Sequence, residues 1–232
     1  MDIISTMSFK GGVGKTNILM VLASAYAEDG YTVQLIDSDQ NAPLTKWEEM
    51  AKKFGRWSDH VVTAMKPTVD EIGDYIESLP ELERQVVLID TKGGASEFHR
   101  LVAENSDVVL VPTRPNKLDG DEALKTFELF DEIERAGGDK IDGRLIFSNV
   151  KPPSATTADM RVFYEVLQRL PHVKTPLIER SAYNSMPNRG LLGETLRAIQ
   201  ADNTRGIERK PAQTALDEAR ALAQELQGLI HG

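Results

Sequence analysis

Cysteine is absent from the 232-residue chain, which excludes a disulfide framework and any thiolate-held zinc or iron–sulfur centre. The four histidines, His60, His99, His172 and His231, are scattered without metal-ligand spacing and read as surface or packing residues. No stretch approaches the roughly 20 consecutive apolar residues that a membrane-spanning helix needs. The opening MDIISTMSF carries neither a basic region nor a small-residue cleavage site, so it does not read as a signal peptide. The expectation is a soluble, cytoplasmic protein without a membrane anchor. Excess positive charge is missing too: a formal net charge of −9 argues against a globally basic nucleic-acid binder. One segment departs from this balance. Arg180, Arg189, Arg197, Arg205, Arg209 and Lys210 face only Glu194, Asp202 and Glu208, so 180–210 is locally +3 in a chain otherwise at −12.

What is present is a repeated alternation of short apolar runs with helical periodicity. Strands are predicted at 3–9, 32–37, 86–90, 108–112, 144–150 and 175–179, and helices at 15–28, 44–54, 68–79, 121–136, 156–170 and 211–230. Several runs are apolar throughout, as in parallel strands covered on both faces. Gly30, Gly137 and Gly138 stand where helices should stop. Lys151-Pro152-Pro153-Ser154 reads as a loop, not a boundary, because strand signals continue after it. The fold class is therefore α/β, a doubly wound, mostly parallel sheet in one domain over 1–232.

Lys10-Gly11-Gly12-Val13-Gly14-Lys15-Thr16 lies between the first strand and the first helix. Glycines there let successive N–H groups close around phosphate, and the helix N-terminus adds its positive dipole end. Lys15 is placed to neutralise β and γ phosphates, and Thr16 to ligate Mg²⁺. Asp37 and Asp39 end the second strand in Leu35-Ile36-Asp37-Ser38-Asp39, and Asp90 ends the strand from Val86. Carboxylates at that sheet edge can hold a magnesium-bound water or orient an attacking one, or they can cap the next helix. Thr91-Lys92-Gly93-Gly94 follows as a flexible, switch-like turn.

The usual P-loop begins with glycine, where this chain has Phe9, and Lys10 follows at once. This second lysine resembles the deviant Walker family that includes ParA, MinD, the nitrogenase iron protein and the arsenite-pump ATPase. The resemblance implies a P-loop NTPase fold, ATP and Mg²⁺ as ligands, and a sandwich dimer in which Lys10 reaches the partner's ATP. It makes Lys10, Lys15 and Asp39 the catalytic set, with Asp39 positioning the attacking water and Asp37 in support. Thr16, Asp37, Asp39 and Asp90 become the magnesium side. Gly11, Gly12, Val13, Gly14, Lys15, Thr16 and Asn17 cradle the nucleotide. Asn149 matches a position that often bonds adenine, beside the loop from Pro176 to Arg180, although an asparagine closing a strand is commonly just a turn residue.

The missing cysteines remove the iron–sulfur branch. The helix expected over 214–230 carries Arg220 against Asp217, Glu218 and Glu225, so it reads as packing on the body and not as a basic membrane helix. Trp47 and Trp57 read as packing residues. The small ParA type remains, and within it the chain looks closest to the VirC-type ATPase that promotes T-DNA transfer. The stretches that carry this are 41–47, 91–97, 118–124, Glu179-Arg180 and Arg189-Gly190. Lys92-Gly93-Gly94 replaces the usual proline pair, and Asn17 stands where a second hydroxyl residue is common.

The resemblance implies an ATP-state homodimer that binds DNA with little sequence preference through the six basic residues above, nucleoid-associated in that state. A ParB-like or relaxosome-like protein would stimulate its slow hydrolysis, and the cargo would be a plasmid, a transfer intermediate or a protein cluster. Two other readings stay open: a metabolic P-loop ligase resembling dethiobiotin synthetase, and a nucleotide-dependent scaffold that barely hydrolyses ATP.

Overall fold

The structure is a computed structural model that describes residues 1–94, 96–151 and 157–232. Its six strands are β1 (Asp2–Thr6), β2 (Thr32–Asp37), β3 (Val61–Met65), β4 (Gln85–Asp90), β5 (Val108–Thr113) and β6 (Gly143–Phe147). They form one sheet in the order β3-β2-β4-β1-β5-β6, and every pairing is parallel. The helices are α1 (Lys15–Glu28), α2 (Pro43–Lys53), α3 (Val69–Glu77), α4 (Glu97–Glu104) and α5 (Lys117–Arg135). They continue as α6 (Ala158–Leu167), α7 (Ser181–Arg189), α8 (Leu192–Ala201) and α9 (Gly206–His231).

Strands β1, β2, β4, β5 and β6 are buried on both faces, as their largely apolar runs require, and only the edge strand β3 reaches solvent. Val86 and Leu88 point into the core shared with α1, α2, α7, α8 and α9, whereas Val87 and Ile89 face α3 and α4. A third cluster joins Val109, Val111, Leu145 and Phe147 to α5 and α6. Helix α1 lies under other helices and buries ten residues nearly all round. Helix α9 lays Ala215, Leu216, Ala219, Leu222, Ala223 and Leu226 on the same core, so the C-terminal helix packs on the body as its charge suggested. Among the described residues, no helix is long and apolar enough to cross a membrane.

Helix ends follow local chemistry. Thr68 caps α3 in a reciprocal box with Glu71, the hydroxyl accepting from Glu71 N and the Glu71 carboxylate accepting from Thr68 N at 3.1 Å. Gly30 and Gly137 adopt φ of 80° and 87° just past α1 and α5, the left-handed stop that glycine permits.

The predicted strand at 175–179 is corrected: among the described residues this segment runs beside the end of β6 through a few backbone bonds, Leu177 N donating to Phe147 O at 2.9 Å and Glu179 N to Val150 O at 2.8 Å, with one isolated bridge between Val150 and Ile178. The pairing is broken at Asn149, whose left-handed backbone at φ 51° separates the bond to Phe147 from those to Val150. The sixth strand is instead β3, a sheet edge with only Val61 fully buried. The strands predicted at 3–9 and 144–150 stop at Thr6 and Phe147, where the glycine loop and Asn149 at φ 51° take over. Helices α4, α7 and α8 were not anticipated. The predicted loop at Pro152-Pro153-Ser154, the predicted helix start at Thr156 and Ala95 of the 91–97 stretch lie outside the described residues.

Chain connections diverge beside β1. From β1 the chain crosses β4 through α1 to reach β2, while from β4 it crosses β1 through α4 to reach β5 on the opposite side. The two helices cover opposite faces, which opens a crevice at the carboxyl ends of β1 and β4.

Candidate functional site

The crevice is where the sequence motifs meet. The glycine loop leaves β1 and turns into α1 through Gly12 at φ 75° and Gly14 at φ 106°. A Cβ on Gly14 would sit 3.4 Å from the Ser148 hydroxyl, and that hydroxyl donates to Val13 O at 3.0 Å. The loop is thus held from the end of β6. Arg114 donates to Gly12 O at 2.9 Å from the end of β5. Neither Ser148 nor Arg114 was a candidate in the sequence, because each acts across more than 100 residues of chain.

Lys15 is 8% exposed, and its ammonium donates to Lys10 O at 3.4 Å. Burial holds its pKa below the ordinary lysine value, while the charges of Asp90 and Asp39 oppose that shift. Lys10 itself turns inward within the chain: its Nζ donates to Asp119 at 2.8 Å. Asp119, buried at the start of α5, also accepts from Asn116 at 3.1 Å. Burial raises its pKa, but the Lys10 and Asn116 hydrogen bonds outweigh that and keep it below the usual carboxylate value.

Three strand ends bring the acids together, since Asp90 stands in register with both Thr6 of β1 and Asp37 of β2. Thr16 donates to Asp90 Oδ2 at 2.5 Å, whereas Asp90 Oδ1 is buried without a hydrogen-bond partner among the described residues. Burial pushes the Asp90 pKa up to about 6, with the Thr16 hydrogen bond and Lys15 acting against it. Asp37 is fully buried; it accepts from Leu44 N at 2.9 Å, capping α2, and from Asp39 N at 3.2 Å. Its pKa is raised by burial. Asp39 is partly exposed and accepts from Asn41 N at 2.9 Å and Asn41 Nδ2 at 3.0 Å.

Among the described residues, no three of His, Cys, Asp and Glu gather into a cation cage. Mg²⁺ asks for no such cage, because it keeps much of its water and takes phosphate oxygens. The hard oxygens of Thr16, Asp90 and Asp37, with Asp90 Oδ1 unpartnered, fit that ion.

The turn after β4 is stitched to the glycine loop. Thr91 donates to Thr6 O at 2.6 Å, and Gly94 N donates to Ser8 O at 3.3 Å. A Cβ on Gly93 would sit 3.4 Å from Gly11 N. His99, 1% exposed on α4, supports this turn from behind with Nε2 2.8 Å from Lys92 O and Nδ1 2.9 Å from the Ser96 hydroxyl. A carbonyl only accepts, so Nε2 carries the proton and Nδ1 accepts from Ser96. Burial lowers the His99 pKa, consistent with this neutral tautomer. His99→Leu should lower unfolding stability by about 2 kcal/mol, because it leaves the Lys92 carbonyl and the Ser96 hydroxyl without their partner. His99→Gln, which keeps a donor for Lys92 O, should lose less than half as much in urea titrations.

On the far side of the loop, a cavity of about 210 Å³ is bordered by Gly14, Asn17, Asn149, Ile178 and Arg180. The residues proposed to meet the base thus line one space next to the phosphate loop. The six basic residues are less free than their local count suggested. Arg180 pairs with Glu218, Arg189 and Arg205 share Glu208, and Arg197 bridges Glu28 and Glu194. Among the described residues, only Arg209 and Lys210 of the six lack a carboxylate partner; Arg209 donates to Gln200 O at 3.1 Å. Trp47 and Trp57 pack edge to face at 4.9 Å, each donating its indole N–H to a backbone carbonyl.

The model of the family described as VirC1 protein matches residues 1–232. A protein named virC1 from Rhizobium radiobacter is 32% identical over 231 residues, which cover 99% of each chain. A protein named ParA from the same organism is 26% identical over 216 residues, 91% of this chain and 94% of that one. Among solved structures, an ATP complex of McdA from Cyanothece superposes with a TM-score of 0.66 at 16% identity, covering 96% and 97% of the two chains. The divergent glycine loop, the parallel sheet and these likenesses agree, and the chain belongs to the VirC1 family, with the fold of the ParA/MinD-type P-loop ATPases.

Proposed function

We propose that this protein is a nucleotide-operated switch that binds ATP with Mg²⁺, closes into a sandwich dimer and hydrolyses the nucleotide slowly to reopen. The observation that carries this reading is the meeting of Lys10, Lys15, Thr16, Asp39 and Asp90 around one glycine loop. Gly11 to Thr16 and Asn17 cradle the phosphates, and Lys15 neutralises their β and γ oxygens. Thr16, Asp90 and, through its charge, Asp37 hold the metal ion, which screens phosphate charge when bound. Asp39, partly exposed beside the loop, orients the attacking water. Asn149 meets the base from the cavity beside Gly14. To reach a partner's nucleotide, Lys10 exchanges its Asp119 contact for phosphate charge, so dimer closure and release of Asp119 are one event.

In the dimer, DNA is held chiefly by phosphate contacts, with Arg209 and Lys210, which have no carboxylate partner among the described residues, contributing the freest charge and the paired arginines contributing their remaining N–H groups. Two copies present their contacts together, so affinity depends on the dimer. Partition or transfer of plasmid-type DNA, stimulated by a ParB-like or relaxosome-like protein in the cytoplasm, is the role this cycle serves.

The test is solution mass and DNA binding with no nucleotide, with ADP and with a slowly hydrolysed ATP analogue, at two salt concentrations. The analogue alone should double the mass and support DNA binding that falls steeply with salt, and Lys10→Ala should remove both. A protein that stays monomeric and ignores DNA in all three states defeats the reading and returns attention to a small-molecule phosphate acceptor.

A further inference from the structure

Helix α3 contains a glycine that the fold does not require. Gly73 has helical backbone geometry, and a Cβ placed on it would meet nothing within 4 Å. A glycine inside a helix is destabilising relative to alanine, so neither conformation nor internal packing accounts for it. Gly73 borders a groove of about 480 Å³ between α3 and α4. The groove is floored by Ile3 and Ile89 of two interior strands and walled by Ile76, Leu101 and Val102. Its α3 rim carries Asp70, Asp74 and Glu77, spaced to share one helical face. Among the described residues, none of these three carboxylates has an ion-pair partner. That contrasts with the arginines of 180–205, each of which is matched by a carboxylate.

We propose that the α3–α4 groove is a docking site for a cationic amphipathic helix of a partner protein, with apolar side chains over Gly73 and Lys or Arg heads on the Asp70, Asp74 and Glu77 rim. The floor consists of side chains from interior strands and offers no free strand edge, so an extended peptide finds no backbone to pair with. A helix meets the groove through side chains alone, and the missing Cβ at Gly73 lets it approach closely. Helix α3 is about 13 Å long by its nine residues, which matches two to three turns of a partner helix. A second copy of this chain is a poor occupant, because a two-fold contact here would bring the same three carboxylates face to face. The site stands apart from the nucleotide reading, although the helix that forms one wall also carries His99 against the turn after β4.

The experiment uses the full-length protein and fluorescein-labelled 18-residue helical peptides with leucine on one face and either lysine or glutamate on the other, followed by fluorescence anisotropy. The lysine peptide should bind, and the glutamate peptide should not. Gly73→Leu, which fills the groove, and the pair Asp70→Lys with Asp74→Lys should each weaken binding at least tenfold. The same charge change at exposed Glu128 and Glu132 of α5 should leave it within twofold. Gly73→Ala, which adds only a methyl group in open space, keeps the fold in view: it should melt no lower than the parent. The proposal is overturned if the groove substitutions leave lysine-peptide binding unchanged in folded protein, if both peptides bind equally, or if neither binds. It is equally overturned if the groove substitutions instead abolish a concentration-dependent doubling of mass, which would make a second copy the occupant.

Discussion

Asp39→Ala should slow ATP turnover by about 10²–10³-fold while leaving nucleotide affinity within a few-fold, the range expected when a water-orienting carboxylate is removed. The structural cost is small, because Asp39 is partly exposed and its own contacts are local, to Asn41 N and Nδ2. Lys15, Thr16 and Asp90 keep their positions, since none of their hydrogen bonds passes through Asp39. With binding intact and hydrolysis blocked, the ATP state has no exit, and the dimer should accumulate on ATP itself, without an analogue. Phosphate release and solution mass measured on the same sample check both halves. Were turnover in the parent already negligible and unchanged by the substitution, the protein would be a scaffold. Were turnover fast, insensitive to DNA and insensitive to Lys10→Ala, a metabolic enzyme would be the better account.

The glycine loop could be read directly because a phosphate cradle is built from contiguous backbone, so all its parts lie within seven residues from Lys10 to Thr16. Asp37 and Asp90 were legible for a related reason: each closes an apolar run, and parallel strands deliver such closures to one edge. What the chain hid were contacts between distant segments. Asp119 receives Lys10 from 109 residues away, and Ser148 holds Val13 across 135. His99 looked like one of four scattered histidines, and only the packing of α4 places it under Lys92. The basic segment misled in the opposite direction. Counting charge from 180 to 210 omits Glu28 and Glu218, which reach in from α1 and α9 to occupy Arg197 and Arg180. The strand expected at 175–179 does bond beside β6, but the left-handed turn at Asn149 breaks the pairing into pieces, and the edge place on the far side went to the more exposed β3.

Asp90→Asn should stabilise the nucleotide-free protein and disable it at the same time. The Asp90 carboxyl is 2% exposed, one of its oxygens has no hydrogen-bond partner among the described residues, and its pKa is pushed up to about 6 by burial. A carboxyl whose folded pKa lies above the unfolded value of 3.8 favours folding while it is protonated. That contribution is complete below pH 4 and is lost as the pH rises through about 6, so at pH 7.5 the folded protein carries an ionised group that burial disfavours. Two pKa units correspond to roughly 3 kcal/mol. After discounting the weakened Thr16 hydrogen bond, a gain of about 2 kcal/mol remains, or about 4–8 °C in Tm for a chain of this size. The gain should be largest at pH 7–8 and shrink toward pH 4, where the parent is itself protonated. Addition of Mg²⁺ and ATP should reverse the ranking: the parent gains stability through ligand binding, whereas the amide, lacking the charge that complements the cation, gains little. Thermal melts of both proteins at pH 4.5 and 7.5, with and without Mg²⁺ and ATP, check this. A variant less stable than the parent at pH 7.5 without ligand would show that Asp90 is held by favourable contacts and is not a destabilised group kept for the metal ion.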